Sequence, residues 1–493
     1  MKQLTLASLI EGISNWRPAG METPVRPILD SRTAEPKREG SCTIFFAFKG
    51  ENVDGHDYVG DAFKRGAVAA VIEHDVDTAA CGAASILDAT AVPPTTPLKT
   101  PLLIHVRDTL DALQSAARFW RQQLAEVSKA NEVGKANLRV IGITGSVGKT
   151  TTKEVVTKVL ANRYRVQRST GSYNNEIGLP LTLLQLTDED AYIVLEMGMY
   201  VRGDIQLLAE IARPHVGIVT NVEPVHLERA GSIENIALGK RELVESLPPA
   251  PEGVAILNYD DRRVWAMAEH TQARIFSYGL SPEADLWADD VETQGLDGIR
   301  LRLHYAGEQL YVKVPLLGRH SAHTVLRAAA AGLVEGLDWQ EIVEGLHAPG
   351  PQLRLVAVRG LQNSLILDDT YNSSPASALA ALNLLKTLEG RKIAILGDML
   401  ELGDYEEAGH LKVGCRTANI VAELVTVGER ARFIAQGAEL CGFPCDHVHE
   451  TPDCETAVAV LHEILQPQDI ILVKGSRGMK MEQIVMAISK ESP

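Results

Sequence analysis

One lysine between glycines and threonines opens the chemistry of this chain. Thr144-Gly145-Ser146-Val147-Gly148-Lys149-Thr150-Thr151 follows the β-branched, apolar run Leu138 to Ile143, and helical spacing returns at Val155, Val156, Val159 and Leu160. The order predicts a strand, a phosphate-binding turn and a helix. Gly145 and Gly148 let the backbone turn its N–H groups toward an anion with no Cβ in the way, and the following helix adds its positive end. Lys149 has the reach for the β- and γ-phosphates of a nucleotide, and the Thr150 hydroxyl suits a magnesium ion. The general pattern G-x-x-x-x-G-K-[ST] asks for glycine where this chain has Ile143; the narrower form T-G-x-x-G-K-T-T fits.

Two further side chains have the chemistry of cation ligands. Glu196 follows the apolar run Ala191 to Leu195, and His226 ends the loop Asn221-Val222-Glu223-Pro224-Val225-His226. A carboxylate at a strand end and an imidazole in the next loop can converge on a cation beside phosphates. Tyr173-Asn174-Asn175-Glu176-Ile177-Gly178-Leu179-Pro180 puts two amides and a carboxylate ahead of Gly and Pro, a turn that presents polar groups. Cys441, Cys445, His447, His449 and Cys454 cluster in sequence, but their spacing matches no zinc pattern closely.

These residues need a scaffold of several cores, because 493 residues exceed one domain. Strands at Cys42 to Phe48, Ala67 to Ile72 and Leu102 to Val106, with a Pro-rich interruption from Val92 to Pro101, predict a small α/β unit over 1–136 that ends in a helix from about Asp108 to Ala130. Alternating strands and helices over 137–350 predict a mainly parallel central sheet, with Glu196 and Asn221 at its carboxyl edge beside the phosphate turn. The alternation repeats over 351–493, with strands at Leu365 to Leu367, Lys392 to Leu396 and Asp469 to Val473, as a Rossmann-like layer. Lys and Arg number 48 against 64 Asp and Glu, a net charge of −16, which argues against general nucleic-acid binding. No secretion signal and no apolar run of about eighteen residues is evident, so no membrane insertion and a cytoplasmic location are expected. Six cysteines suit a reducing compartment.

The phosphate turn, Tyr173 to Pro180, Glu196-Met197-Gly198-Met199 and Asn221 to Glu228 together resemble the ATP-dependent Mur ligases of peptidoglycan synthesis. The resemblance continues through Asp368-Asp369-Thr370-Tyr371-Asn372-Ser373-Ser374-Pro375, Leu396 to Gly403, and Val473-Lys474-Gly475-Ser476-Arg477. It implies a three-domain α/β enzyme: a UDP-sugar domain, a central ATP-binding domain and a C-terminal domain that closes on ATP. Such an enzyme spends ATP, with Mg2+, to make an amide through an acyl phosphate. Asn174 to Gly178 with Gly397 to Gly403 is most similar to the member whose substrates are a UDP-N-acetylmuramoyl-tripeptide and the dipeptide D-Ala-D-Ala. A monomer is expected.

By position, the resemblance implies that residues Thr144 to Thr151 bind ATP, with Lys149 on phosphate and Thr150, Glu196 and His226 around the metal ions. Lys240 matches the family lysine that is carbamylated and helps hold the second magnesium. Ser31, Arg32, Lys49 and Gly50 match uridine-diphosphate contacts, and Asn175 would touch the nucleotide-sugar substrate. Arg354 and Asp369 would contact ATP, Tyr371 and Asn372 line the same interface, and Lys474, Ser476 and Arg477 would meet the dipeptide. Two departures stand out. The family's His-Asn-x-x-Asn is His320-Ser321-Ala322-His323-Thr324 here, so Thr324 or Asn258 would take over at the adenine, and the Gly-Arg before the third domain is blurred to Gly350-Pro351-Gln352-Leu353-Arg354. Another amino-acid-adding Mur ligase, or a folylpolyglutamate synthase, shares the loop and the lysine, although the first domain and Gly397 to Gly403 argue against both. A nucleotide switch or motor would have no need of three substrate-binding units.

Overall fold

The computed structural model describes residues 2–35, 41–50, 53–77, 81–130, 138–171, 173–225, 227–348 and 356–490. His226 and Arg354 therefore lie outside the described residues. The described strands form three sheets. The first holds β1 (Val25–Ile28), β2 (Cys42–Phe46), β3 (Ala67–Ile72), β4 (Ser85–Asp88) and β5 (Leu102–His105), all parallel, in the order β1-β2-β3-β5-β4.

The central sheet starts from β6 (Arg139–Thr144), β7 (Val166–Arg168), β8 (Tyr192–Glu196), β9 (Val216–Val219), β10 (Val254–Asn258) and β11 (Arg274–Gly279). It continues through β12 (Leu286–Thr293), β13 (Ile299–Tyr305) and β14 (Glu308–Val314), in the order β14-β13-β12-β11-β10-β9-β6-β8-β7. Strands β6 to β12 pair in parallel, as the alternation of elements predicts. The β12-β13-β14 extension is antiparallel and was not foreseen. Its strands bury one face only: Ile299, Leu301 and Leu303 are fully buried while Arg300 stays exposed, and this charged alternation hides them among loops in the sequence.

The third sheet comprises β15 (Val356–Arg359), β16 (Leu365–Asp369), β17 (Lys392–Gly397), β18 (Glu423–Val427), β19 (Val448–Thr451) and β20 (Ile470–Lys474), in the order β15-β16-β20-β17-β18-β19 with only β15 antiparallel. The interiors of β17, β18 and β20 are buried on both faces, which explains their near-continuous Val, Ile and Leu.

The period of two along β6 divides its side chains between two cores. Val140 joins the core that reaches the first sheet through the helix Thr109–Ala130, whereas Ile141 and Ile143 pack beneath the helices Lys149–Ala161 and Ser321–Val334. In that first core Trp120 is fully buried and its indole N–H donates to the Leu186 carbonyl at 3.0 Å, fastening the connecting helix to the central unit.

In the third unit Cys415 and Cys441 form a disulfide, against the expectation of reduced thiols. Glycines cause the approach. A Cβ on Gly414 would lie 1.9 Å from the Ile434 carbonyl oxygen, so the helices Glu406–Thr417 and Arg432–Leu440 sit close enough to bring the two Cα atoms to 5.1 Å. His447 and His449 both contact the Glu423 carboxylate at 3.0 Å, so the two imidazoles of the Cys/His cluster share a protein partner. No helix among the described residues is long and apolar enough to cross a membrane.

Candidate active site

Register sets the site. Ile143 pairs with Glu196 across β6-β8 and Thr144 with Val219 across β6-β9, so the phosphate loop, Glu196 and the segment after Val219 share one sheet edge. Gly145 has φ +138°, and a Cβ there would lie 1.8 Å from the Thr220 hydroxyl oxygen; only glycine fits. Gly148, at φ +85°, starts the helix Lys149–Ala161. The loop is then tied to its neighbour: Val147 N–H donates to Asn221 Oδ1 at 2.9 Å, the Ser146 hydroxyl to the Glu223 carbonyl at 2.9 Å, and the Thr144 hydroxyl to the Met197 carbonyl at 3.0 Å. A loop held on both sides presents its amides without reorganising.

The Lys149 ammonium donates to the carbonyls of Gly145 at 2.8 Å and Ser146 at 3.3 Å. The Thr150 hydroxyl donates to Glu196 Oε2 at 2.8 Å, and the Asn174 amide donates to Glu196 Oε1 at 3.0 Å. Glu196 is buried. A hydroxyl and a carboxylate within hydrogen-bond distance, beside a phosphate loop, make a hard oxygen donor set that fits Mg2+.

Lys240 arrives from the helix Ile233–Glu245, whose start is capped where the Ser232 hydroxyl accepts from Asn235 N–H at 3.1 Å. Its side chain lines the same cleft and is 3% exposed. Burial pushes its ammonium far below the ordinary lysine range, and the Lys149 cation adds to the shift. Among the described residues no carboxylate pairs with it. The result is a buried amine, its charged form disfavoured, lining the same cleft as the phosphate loop.

The cleft has a volume of about 1860 Å³ and draws on all three units, from Leu29 through the phosphate loop, including Thr151, to Arg477. Asn175 lines it, with its Oδ1 accepting from Gly178 N–H at 2.9 Å. Behind that turn the fully buried Lys153 donates to the Ser169 and Gly171 carbonyls at 2.8 and 2.9 Å. Register in the third sheet puts Asp369 opposite Lys474, and their side chains meet at 2.7 Å. Two residues expected on different substrates thus form one pair, with Lys474 buried and Asp369 partly so, on the wall of the cleft beside Tyr371 and Asn372, whose carbonyl also accepts from Lys474 at 2.8 Å. The Ser476 hydroxyl accepts from Leu400 N–H at 2.9 Å, and the Arg477 guanidinium lies 5.3 Å over the Tyr371 ring.

Several residues expected to contact substrate already have partners within the protein, Asn258 and Thr324 among them on the wall of the cleft. The Asn258 amide donates to the Thr220 carbonyl at 3.0 Å while its Oδ1 accepts from Asp260 N–H at 3.1 Å. The Thr324 hydroxyl accepts from Arg327 at 2.9 Å. Ser31, Arg32, Lys49 and Gly50 are not on the wall of the cleft. Ser31 donates to Asp61 at 2.9 Å, Arg32 forks onto Asp30 at 2.8 to 3.1 Å with 79% of its side chain exposed, Lys49 is exposed, and Gly50 N–H donates to the Val53 carbonyl at 2.9 Å. Arg327, Lys153 and the His323–Asp260 pair at 2.8 Å were missed by sequence reasoning. His323 stands in the departing motif His320 to Thr324, and Arg327 is the one charge in the run Val325 to Val334.

A phosphate loop with an adjoining oxygen donor set and a buried amine, on the middle one of three sheets, defines a nucleotide-dependent ligase architecture. Residues 40–121 match the Mur ligase family, catalytic domain; residues 143–332 match the Mur ligase middle domain; residues 354–477 match the Mur ligase, glutamate ligase domain. The chain belongs to the Mur ligase family. It is 35% identical over 457 residues to the UDP-N-acetylmuramoyl-tripeptide--D-alanyl-D-alanine ligase of Bacillus subtilis, covering 91% of each chain. It is 31% identical to the Escherichia coli protein of the same name, covering 94% of each. The fold is similar to the crystal structure of MurF from Acinetobacter baumannii, with a TM-score of 0.81 at 27% identity over 98% of this chain and 99% of that one.

Proposed function

We propose that this protein joins D-Ala-D-Ala to a UDP-N-acetylmuramoyl-tripeptide at the expense of ATP, in the cytoplasm. The observation that carries the reading is one cleft shared by the phosphate loop and the strand ends of the third sheet, in a chain aligned over 91% of its length with a relative named for that reaction. Residues 1–136 would hold the UDP-sugar, 137–350 the ATP, and 351–493 would close on both and receive the dipeptide.

A carboxylate is a poor acyl donor at neutral pH. The tripeptide's terminal carboxylate oxygen attacks the γ-phosphorus, ADP leaves, and an acyl phosphate forms; the dipeptide amine then attacks the acyl carbon, inorganic phosphate departs, and the nitrogen loses its proton. The loop amides and Lys149 take up the charge spread over the phosphoryl oxygens. Thr150, Glu196, His226 and a modified Lys240 would hold Mg2+, which when bound neutralises phosphate charge. Lys240 is suited to modification because only a neutral amine adds carbon dioxide; the nitrogen–carbon bond forms, one proton leaves, and the cation's site becomes an anion's. Asn175 would orient the sugar nucleotide, with Ser31, Arg32, Lys49 and Gly50 on its diphosphate. Arg354 and Asp369 would face ATP, and Lys474, Ser476 and Arg477 the dipeptide carboxylate, with Tyr371 and Asn372 between them. The test measures phosphate release with purified protein, omitting ATP, tripeptide or dipeptide in turn. Release needs all three; release that continues without D-Ala-D-Ala overturns the assignment.

A further inference from the structure

Arg327 is a buried cation in search of an anion. It projects from the helix Ser321–Val334, which packs along the helix that begins at Gly148. It is 4% exposed. Its Nη2 donates to the Thr324 hydroxyl at 2.9 Å, its guanidinium carbon lies 5.9 Å over the Tyr278 ring, and its Nε is buried with no hydrogen-bond partner. Among the described residues no carboxylate pairs with it. A guanidinium stays charged at any working pH, so burial without a counter-ion is a standing cost. The cost is understandable if the partner arrives with the ligand.

Geometry says which ligand. Arg327 Nη2 and Nη1 lie 3.3 and 4.0 Å from the position a Cβ on Gly148 would occupy, and the side chain lines the cleft beside the phosphate loop. Arginine offers only donors, so it has no acceptor for an amino group on a base, whereas planar N–H pairs match phosphate oxygens. Meanwhile the hydroxyl of Thr324 and the amide of Asn258 are held by protein atoms.

We propose that Arg327 is a positioning residue that clasps the non-transferred phosphates of the bound nucleotide, the part that ATP and ADP share, from the side opposite Lys149. Nucleotide affinity in this chain then rests on the diphosphate more than on the base. The inference rests on the phosphate loop being an ATP site.

Calorimetric titration of the full chain with ADP and with adenosine tests it, for wild type and for Arg327→Ala, Arg327→Gln and Arg327→Lys. Arg327→Ala and Arg327→Gln are expected to weaken ADP at least about 30-fold and leave adenosine within about 2-fold, while Arg327→Lys recovers part of the loss. Ligation should show a raised KM for ATP with kcat changed far less. If ADP affinity is unchanged, or if ADP and adenosine weaken equally, the proposal falls; Arg327→Lys supplies the same readout should the smaller variants fold poorly. A wild-type chain that binds no ADP would instead bring down the ATP-site reading itself.

Discussion

Lys240 and Lys474 are both nearly inaccessible to solvent, at 3% and 2% exposure, on the wall of one cleft, yet they are opposite solutions to burying an amine. Lys474 ends β20 opposite Asp369 and meets its carboxylate at 2.7 Å, so its charge is compensated inside the protein. Lys240 sits on a helix with no carboxylate paired to it among the described residues and with the Lys149 cation nearby, so burial and that cation both disfavour its charge. Burial alone does not decide what a lysine does; the charge of its neighbours does. The first arrangement pairs a buried amine with a carboxylate, and the second disfavours the charge of a buried amine.

The contrast is most sharply broken by activity. Lys240→Gln should lower ligation about 1,000-fold, the scale of losing a charge-stabilising group at the reacting centre. Labelled bicarbonate should appear on wild type as one carbamate carbon by NMR and not on the variant. A plain amine in fully active enzyme would refute the modification.

Stability provides the next test. Lys474→Met strands the Asp369 carboxylate, and breaking a buried pair this way should cost about 3 kcal/mol in urea unfolding. Lys240→Met removes a buried amine that has no carboxylate partner among the described residues and should leave stability unchanged or higher. Equal losses in both variants would erase the distinction.

The pH dependence of Lys240 follows from the same cause. Its folded pKa lies well below the unfolded value, so between the two the unfolded chain binds the extra proton and stability rises with pH. In buffer free of carbon dioxide, wild type should gain on Lys240→Met by up to about 1.4 kcal/mol per pH unit within that window, with no further gain above pH about 10.4. Unfolding midpoints measured from pH 7 upward check the slope.

A smaller effect extends the rule to an imidazole. Burial pushes His215 down to about 4, and its Nδ1 accepts the Val140 N–H at 3.1 Å, a role that needs the neutral ring. Stability held above pH about 6.5 is therefore lost as pH falls toward 4, amounting to about 1.4 kcal/mol at pH 5.5. His215→Gln should flatten that part of the unfolding profile.

Much of this was legible without coordinates where the determinants are local. The phosphate loop could be read because glycine at φ +138° and +85° and a lysine two residues beyond a valine are matters of a few consecutive residues. The parallel strands announced themselves by unbroken apolar runs, and the antiparallel extension did not, because half of its side chains face solvent. Arg327 carried almost no local signal, since a lone arginine in an alanine-rich helix is as readily a surface residue.

The sequence by itself determined the strand–loop–helix around Lys149, the order of three α/β units and, through the motifs they carry, the family. Tertiary structure alone decided that Asp369 would pair with Lys474, that Lys240 would be buried near the Lys149 cation, and that Arg327 would turn toward Gly148. Local conformation follows from the residues in a turn, but electrostatic character depends on burial and on partners contributed by segments a hundred residues away, and those distances are fixed only when the sheets pack.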